Sequence, residues 1–164
     1  VLHITPDTTV VIIGPPGSGK TTVGELLAEQ SALPLYSTDR YLGYGHIKAL
    51  YWVMQEIGDV GWIVEGMIGY RLLRKRKQLG MPAPDIVIQL DAADADILEA
   101  YRQRNRHCNI NHLRNFCKAH ETVLKEYVLL DGDMPKIWIH CKSRQACHLI
   151  GGGPSGTANN DSSM

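Results

Sequence analysis

The chain has 164 residues, 44% hydrophobic and 21% charged, which is the composition of one ordinary globular domain and excludes a disordered or fibrous protein. Lys+Arg and Asp+Glu both number 17, so the formal charge is zero, which argues against a chain built to coat nucleic acid or an anionic membrane. No apolar run approaches the roughly 20 residues that span a bilayer. The opening VLHITPDTTV lacks the basic start and apolar stretch of a secretory signal, and, without an initiator Met, it reads as a trimmed start. Cys108, Cys117, Cys141 and Cys147 form no C-x-x-C pair and read as reduced thiols, so the expected location is the cytoplasm.

Strands and helices alternate along the chain. Thr9–Ile13 (TVVII) is a β-branched run typical of a strand buried on both faces. A helix follows over Thr21–Gln30, with Val23, Leu26 and Leu27 on one stripe, then a short strand at Leu35–Ser37. His46–Ile57 reads as a helix that buries Ile47, Leu50, Tyr51 and Met54. Trp62–Val64 is apolar, and Tyr70–Leu79 is a basic helix stopped by Gly80 and Pro82. Asp85–Leu90 is a further buried strand, and Ala93–Arg104 a helix packing Ile97, Leu98 and Tyr101. Ile110–Leu130 is the longest periodic stretch, with Phe116, Cys117 and Leu124 on its apolar face, and Lys136–His140 is the last strand. Five strands interleaved with helices predict a three-layer α/β domain over residues 1–150 with a mostly parallel sheet. Residues 151–164 (GGGPSGTANNDSSM) have almost nothing to bury and read as a disordered tail.

Gly14-Pro15-Pro16-Gly17-Ser18-Gly19-Lys20-Thr21 is a complete G-x-x-x-x-G-K-[ST] pattern between a buried strand and an amphipathic helix. Its glycines let the backbone curl until successive N–H groups point at phosphate oxygens, and the helix adds the positive end of its dipole. The pattern assigns Lys20 to the β- and γ-phosphates of ATP, Thr21 to Mg²⁺ and Thr22 to an α-phosphate oxygen. A GTPase would add N-K-x-D and Asp-x-x-Gly motifs, and neither is present.

With Ser37-Thr38-Asp39-Arg40-Tyr41, Val64-Glu65-Gly66 and YRQRNRH after DIVIQL, the chain resembles the small P-loop kinases over about residues 9–140. Asp39-x-Tyr41 followed by a strand ending Glu-Gly is most similar to the uridine kinase branch. That resemblance implies a three-layer P-loop fold, ATP-Mg²⁺ as phosphoryl donor and a small-molecule acceptor, a nucleoside or nucleotide, in a monomer or homodimer. It implies arginines at the helix end, of which Arg104 and Arg106 are preferred because Arg102 lies in the last regular turn. Residues spaced by two share no helical face, so convergence requires that the helix has already ended; the lid offered, Arg106–Asn111, is short. It also implies an arginine, Arg71 or Arg74, on the acceptor.

Asp39 follows a strand's carboxyl end, where a carboxylate accepts a hydroxyl proton or holds Mg²⁺ through water; the plainer reading is a helix N-cap. Glu65 ends the neighbouring strand, either as a ligand of metal water or acceptor, or as a solvated loop carboxylate. Lys75–Lys77 read as a solvated helix face, while Tyr41, Tyr44, Tyr51 and Trp52 either stack on the acceptor or form core. Cys117 and His120 lie on the apolar stripe of the long helix, which accounts for them without a zinc site. The alternatives to a small-molecule kinase are a polynucleotide 5′-hydroxyl kinase, suggested by Arg71–Lys77, and a nucleotide-binding regulatory module without turnover.

Overall fold

The computed structural model describes residues 2–76, 78, 80–131, 135 and 137–151, without the side chains of 42, 44, 123 and 126–131. The expected tail from 152 onward therefore lies outside the described residues. Strands β1 (Thr9–Ile13), β2 (Leu35–Ser37), β3 (Trp62–Glu65), β4 (Ile86–Asp91) and β5 (Ile137–Lys142) form one sheet in the order β2-β3-β1-β4-β5. Every pairing is parallel, with Val10 opposite both Ile63 and Ile86.

Helices α1 (Lys20–Ser31), α2 (His46–Glu56), α3 (Gly69–Lys75), α4 (Asp94–Gln103), α5 (Ile110–Asp131) and α6 (Ser143–Ile150) complete the described chain, with a 3-10 segment at Thr38–Tyr44. The period of two in β1 divides the core. Val10 and Ile12 pack with Val23 and Leu27 of α1 and Ala146, Cys147 and Ile150 of α6. Val11 and Ile13 pack with Ala49 and Val53 of α2, Leu72 of α3 and Leu124 of α5. Three layers result, as the apolar runs predict, and none of the helices described is long and apolar enough to cross a membrane. The one polar side chain inside β4, Gln89, is satisfied on both sides: it donates to Glu121 Oε1 of α5 at 2.7 Å and accepts from Trp138 Nε1 of β5 at 3.1 Å.

Several local expectations are corrected. Helix α2 buries Ala49, Leu50 and Val53, while Ile47 and Tyr51 are 59% and 55% exposed. HIKALYWVMQE is apolar on most sides, so tertiary fit chose the face that presents small Ala49 and Val53 to the sheet. Tyr51 and Trp52 are accordingly exposed and not core, and the Tyr44 side chain lies outside the described residues. In α4 Leu98 is exposed and only Ile97 is fully buried. Helix α3 stops at Lys75, and Arg76 is buried instead of forming part of a solvated face; Lys77 lies outside the described residues. Helix α6 was not anticipated; Ala146, Cys147 and Ile150 form its stripe, Gln145 Oε1 accepts from the Lys142 N–H at 3.0 Å, and Gly151 at φ 88° ends it.

The central strand sets the stability of the whole. Ile12 is fully buried between β3 and β4, so Ile12→Ala is expected to cost about 3 kcal/mol. Urea denaturation should show this as a lowered midpoint with an unchanged slope.

Candidate active site

The site lies where β1, β2 and β3 end. Gly14 and Pro15 are buried, Pro16 is half-buried, and the Ser18 N–H donates to Pro15 O at 3.1 Å, curling the loop back on itself. Gly17 has φ 82°, and a Cβ there would sit 2.7 Å from the Asp96 carbonyl oxygen, so α4 approaches the loop only because the residue is glycine. Gly19 caps α1, whose first N–H groups have no acceptor within the helix. Thr21 and Thr22 are on the exposed first turn.

Lys20 is 7% exposed and its Nζ donates to Pro15 O at 3.0 Å. Burial lowers its proton affinity below the ordinary lysine value; Asp39 and Glu65 oppose that shift and Arg104 adds to it. The ligand-free protein thus holds a desolvated ammonium between the loop carbonyl and two carboxylates.

Glu65 is buried, 1% exposed, contrary to a solvated loop carboxylate. Its Oε2 accepts from Thr21 Oγ1 at 3.1 Å and from Ser37 Oγ. The register explains this, since Ser37 is paired with Glu65 across β2 and β3. Its Oε1 is buried with no hydrogen-bond partner in the described structure. A spare carboxylate oxygen beside the Thr21 hydroxyl is the hard-oxygen donor set that suits Mg²⁺, an ion that takes the rest of its shell from phosphates and water.

Gly66 explains why an Asp and a Glu-Gly strand end occur together. It has φ 134°, and a Cβ on it would fall 1.9 Å from Thr38 Oγ1 and 3.4 Å from Asp39 Oδ1. Absence of a side chain lets the 3-10 segment fold over the end of β3 and bring Asp39 beside Lys20. Thr38 is fully buried there and Asp39 is exposed to the cleft.

Asp39, Lys20 and Arg104 form the common wall of two cavities. One, of about 200 Å³, lies over the loop and is lined by Gly17, Gly19, Thr21 and Thr22, with Gln103 opposite. The other, of about 210 Å³, is lined by Pro16, His46, Met67, Arg71, Arg106, Phe116 and His120. Helix α4 ends at Gln103 and Asn105 turns left-handed at φ 53°, with the Arg106 N–H bonded to Tyr101 O at 2.9 Å. The helix has therefore ended before the arginines diverge, and both Arg104 and Arg106 line the cleft. Arg102 instead pairs with Glu99 on α4. Arg114 of α5 ties that helix to the other end of α4, at the β4–α4 junction, donating to Asp94 Oδ1 at 2.8 Å and to Ala92 O at 2.5 Å.

Arg71 lines the second cavity, whereas Arg74 does not, although its charge bears on His120. Tyr41 lines neither cavity: its hydroxyl donates to the Glu56 carboxylate and Arg40 lies 6.0 Å from its ring. At three residues per turn, a residue two places after Asp39 points elsewhere. Ser37, His46, Met67, Phe116 and His120 are site residues that sequence reasoning missed. Only Ser37 carried a usable signal, as the last residue of a strand beside the one ending in Glu65.

No protein-family model matches the chain. It is 27% identical over 103 residues to a shikimate kinase of Pseudomonas syringae pv. syringae, covering 60% of this chain and 50% of that protein. The chain thus spans about half the length of the curated relative it matches. Among solved structures it is similar to a shikimate kinase from Acinetobacter baumannii in complex with shikimate, at TM-score 0.56 and 16% identity, covering 94% of this chain and 96% of that one. It is also similar to a gluconokinase from Sinorhizobium meliloti, at TM-score 0.50 and 14% identity, covering 95% and 94%. These structures show the fold, that of P-loop kinases, and none of these three relatives supports specific nearness to the uridine kinases.

A buried ammonium weakens the ligand-free fold. Below its lowered value Lys20 is charged in both states and its desolvation opposes folding; as pH rises towards 10.5 the fold sheds the proton that the unfolded chain keeps, so stability rises. Lys20→Met is expected to stabilise the ligand-free protein by about 1 kcal/mol and to abolish this rise. In urea denaturation from pH 7 to 10, with ATP titration in parallel, the variant should be the more stable protein and the weaker ATP binder.

Proposed function

We propose that the chain is an ATP-dependent kinase that transfers the γ-phosphoryl group to a hydroxyl of a small anionic acceptor. The observation that carries this is the pair of cavities sharing Lys20, Asp39 and Arg104 as one wall. A phosphate cradle on one side and a partly enclosed chamber on the other, meeting at these three side chains, suit in-line transfer between them. ATP-Mg²⁺ supplies the phosphoryl group, with Thr21 and Glu65 as the residues that would hold the ion.

The chain's own groups supply positioning and charge. As the acceptor oxygen bonds to the γ-phosphorus and the bond to the ADP oxygen breaks, Asp39 takes the hydroxyl proton. Lys20 and Arg104 neutralise the charge on the transferring group from the shared wall, and little reorganisation is needed because both are already in place. The second cavity holds four cationic side chains, Lys20, Arg71, Arg104 and Arg106, against the single carboxylate of Asp39. Such a chamber favours a carboxylate or phosphate on the acceptor over a neutral nucleoside. Hydroxy acids, sugar phosphates and nucleoside monophosphates all meet that requirement, and similarity to shikimate kinase and gluconokinase supports the first of these.

The test is phosphoryl transfer from ATP-Mg²⁺ to a panel of hydroxy acids, sugar phosphates, nucleosides, nucleotides and a 5′-hydroxyl oligonucleotide. Transfer to an anionic small molecule is expected. Transfer only to neutral nucleosides or only to the oligonucleotide would overturn the acceptor assignment, and ATP binding without transfer to any would leave a regulatory module. On the best acceptor, Asp39→Asn should lower kcat at least about 100-fold with ATP affinity nearly kept; an unchanged kcat would remove Asp39 as the base.

A further inference from the structure

One side chain in the second cavity has no role in the transfer described above. His120, on α5, is 9% exposed, lines that cavity, and has a buried Nδ1 with no hydrogen-bond partner in the described structure. Its ring is held on two sides, by the edge of Phe116 at 4.3 Å between centroids and by Tyr70 at 5.7 Å. A polar group buried without a partner costs stability, so its occurrence at a cavity wall points to a partner that arrives with the ligand.

Burial lowers the proton affinity of the ring, and the charges of Arg74, Arg71 and His46 lower it further. Near neutral pH the ring is uncharged, with one nitrogen as donor and the other as acceptor. Either nitrogen of the neutral ring, the donor or the acceptor, matches a hydroxyl, which can take or give the bond, and the nearby guanidinium of Arg71 is the better match for an anionic group.

We propose that His120 is a specificity residue of the acceptor chamber, hydrogen-bonding a second, non-reacting hydroxyl so that hydroxylated anions are held in preference to their deoxy counterparts. The assignment rests on the reading of this chamber as the acceptor site. Its physical basis is that a wall built to bond a hydroxyl discriminates strongly against the analogue lacking it, because the buried ring nitrogen is then left unpaired.

The experiment measures affinities of the full chain for matched pairs in which the deoxy member keeps one hydroxyl for the transfer: shikimate and 3-hydroxycyclohex-1-enecarboxylate, D-gluconate and 6-hydroxyhexanoate, glycerol 3-phosphate and 3-hydroxypropyl phosphate. The wild-type chain should hold at least one hydroxylated member at least about tenfold more tightly than its deoxy partner. His120→Phe, which keeps an aromatic ring of similar size, should remove most of that preference while leaving the deoxy member's affinity nearly unchanged, and His120→Gln should restore part of it. A preference that survives in His120→Phe, or none in the wild type, overturns the assignment of His120 alone. If no anion binds, or binding is indifferent to Arg71→Ala, the acceptor reading fails and His120 falls with it. Should His120→Phe not fold, the wild-type imidazole ¹⁵N resonances decide: the hydroxylated member must shift those of His120 and the deoxy member must not.

Discussion

A buried carboxylate at the end of β3 holds the cleft end of this protein's sheet together. Glu65 receives the hydroxyls of Thr21, on the first turn of α1, and of Ser37, at the end of β2. Two neighbouring strand ends and the first turn of α1 are thereby tied to one side chain that is almost wholly shielded from water. A carboxyl group in such a place needs partners, and one of its oxygens has none in the described structure, while the ammonium of Lys20 is buried beside it. The arrangement is costly as a scaffold, which is what the proposed binding of a nucleotide and its cation would offset.

The residue after Glu65 matters as much for what it lacks. With no Cβ, Gly66 lets Thr38 cross the strand end, and Asp39 is carried to the wall between the two cavities. The short acidic motif after β2 and the Glu-Gly at the end of β3 are therefore two halves of one packing contact. The arginines reach the same wall by a different device. A left-handed Asn105 ends α4 so that Arg104 and Arg106 both line the cleft, while Arg114 ties α5 to the start of α4 at the β4–α4 junction. The cavity over the loop is lined largely by tight backbone, and the second largely by long side chains.

Much of the fold was legible because buried parallel strands are continuous apolar runs. TVVII and IVIQL sit within one residue of their predicted bounds, and the loop between β1 and α1 declared itself by its fixed glycines, Lys20 and Thr21. Helix α2 showed its existence but not its face, because an apolar helix has no polar side to set its rotation. Helix α6 escaped notice because its stripe, though clear, is confined to eight residues that run straight into glycines, too short a window for periodicity to stand out. The partners of Glu65 could not be read locally, since Thr21 and Ser37 are 44 and 28 positions away. His120 satisfied the apolar period of α5, and periodicity alone does not tell a core wall from a cavity wall.

The sheet order also bears on how the molecule is made. β1 comes before the other four strands in sequence, yet its neighbours are β3 and β4, so Val10 finds both Ile63 and Ile86 only after the intervening chain has been made. Pairings so distant in sequence are entropically late, and a ribosome delivers them in the least helpful order. The glycine-rich loop after β1 is thus made before the strands that lock it in place, and nascent chains halted before β4 would carry its motif without the full scaffold that shapes it.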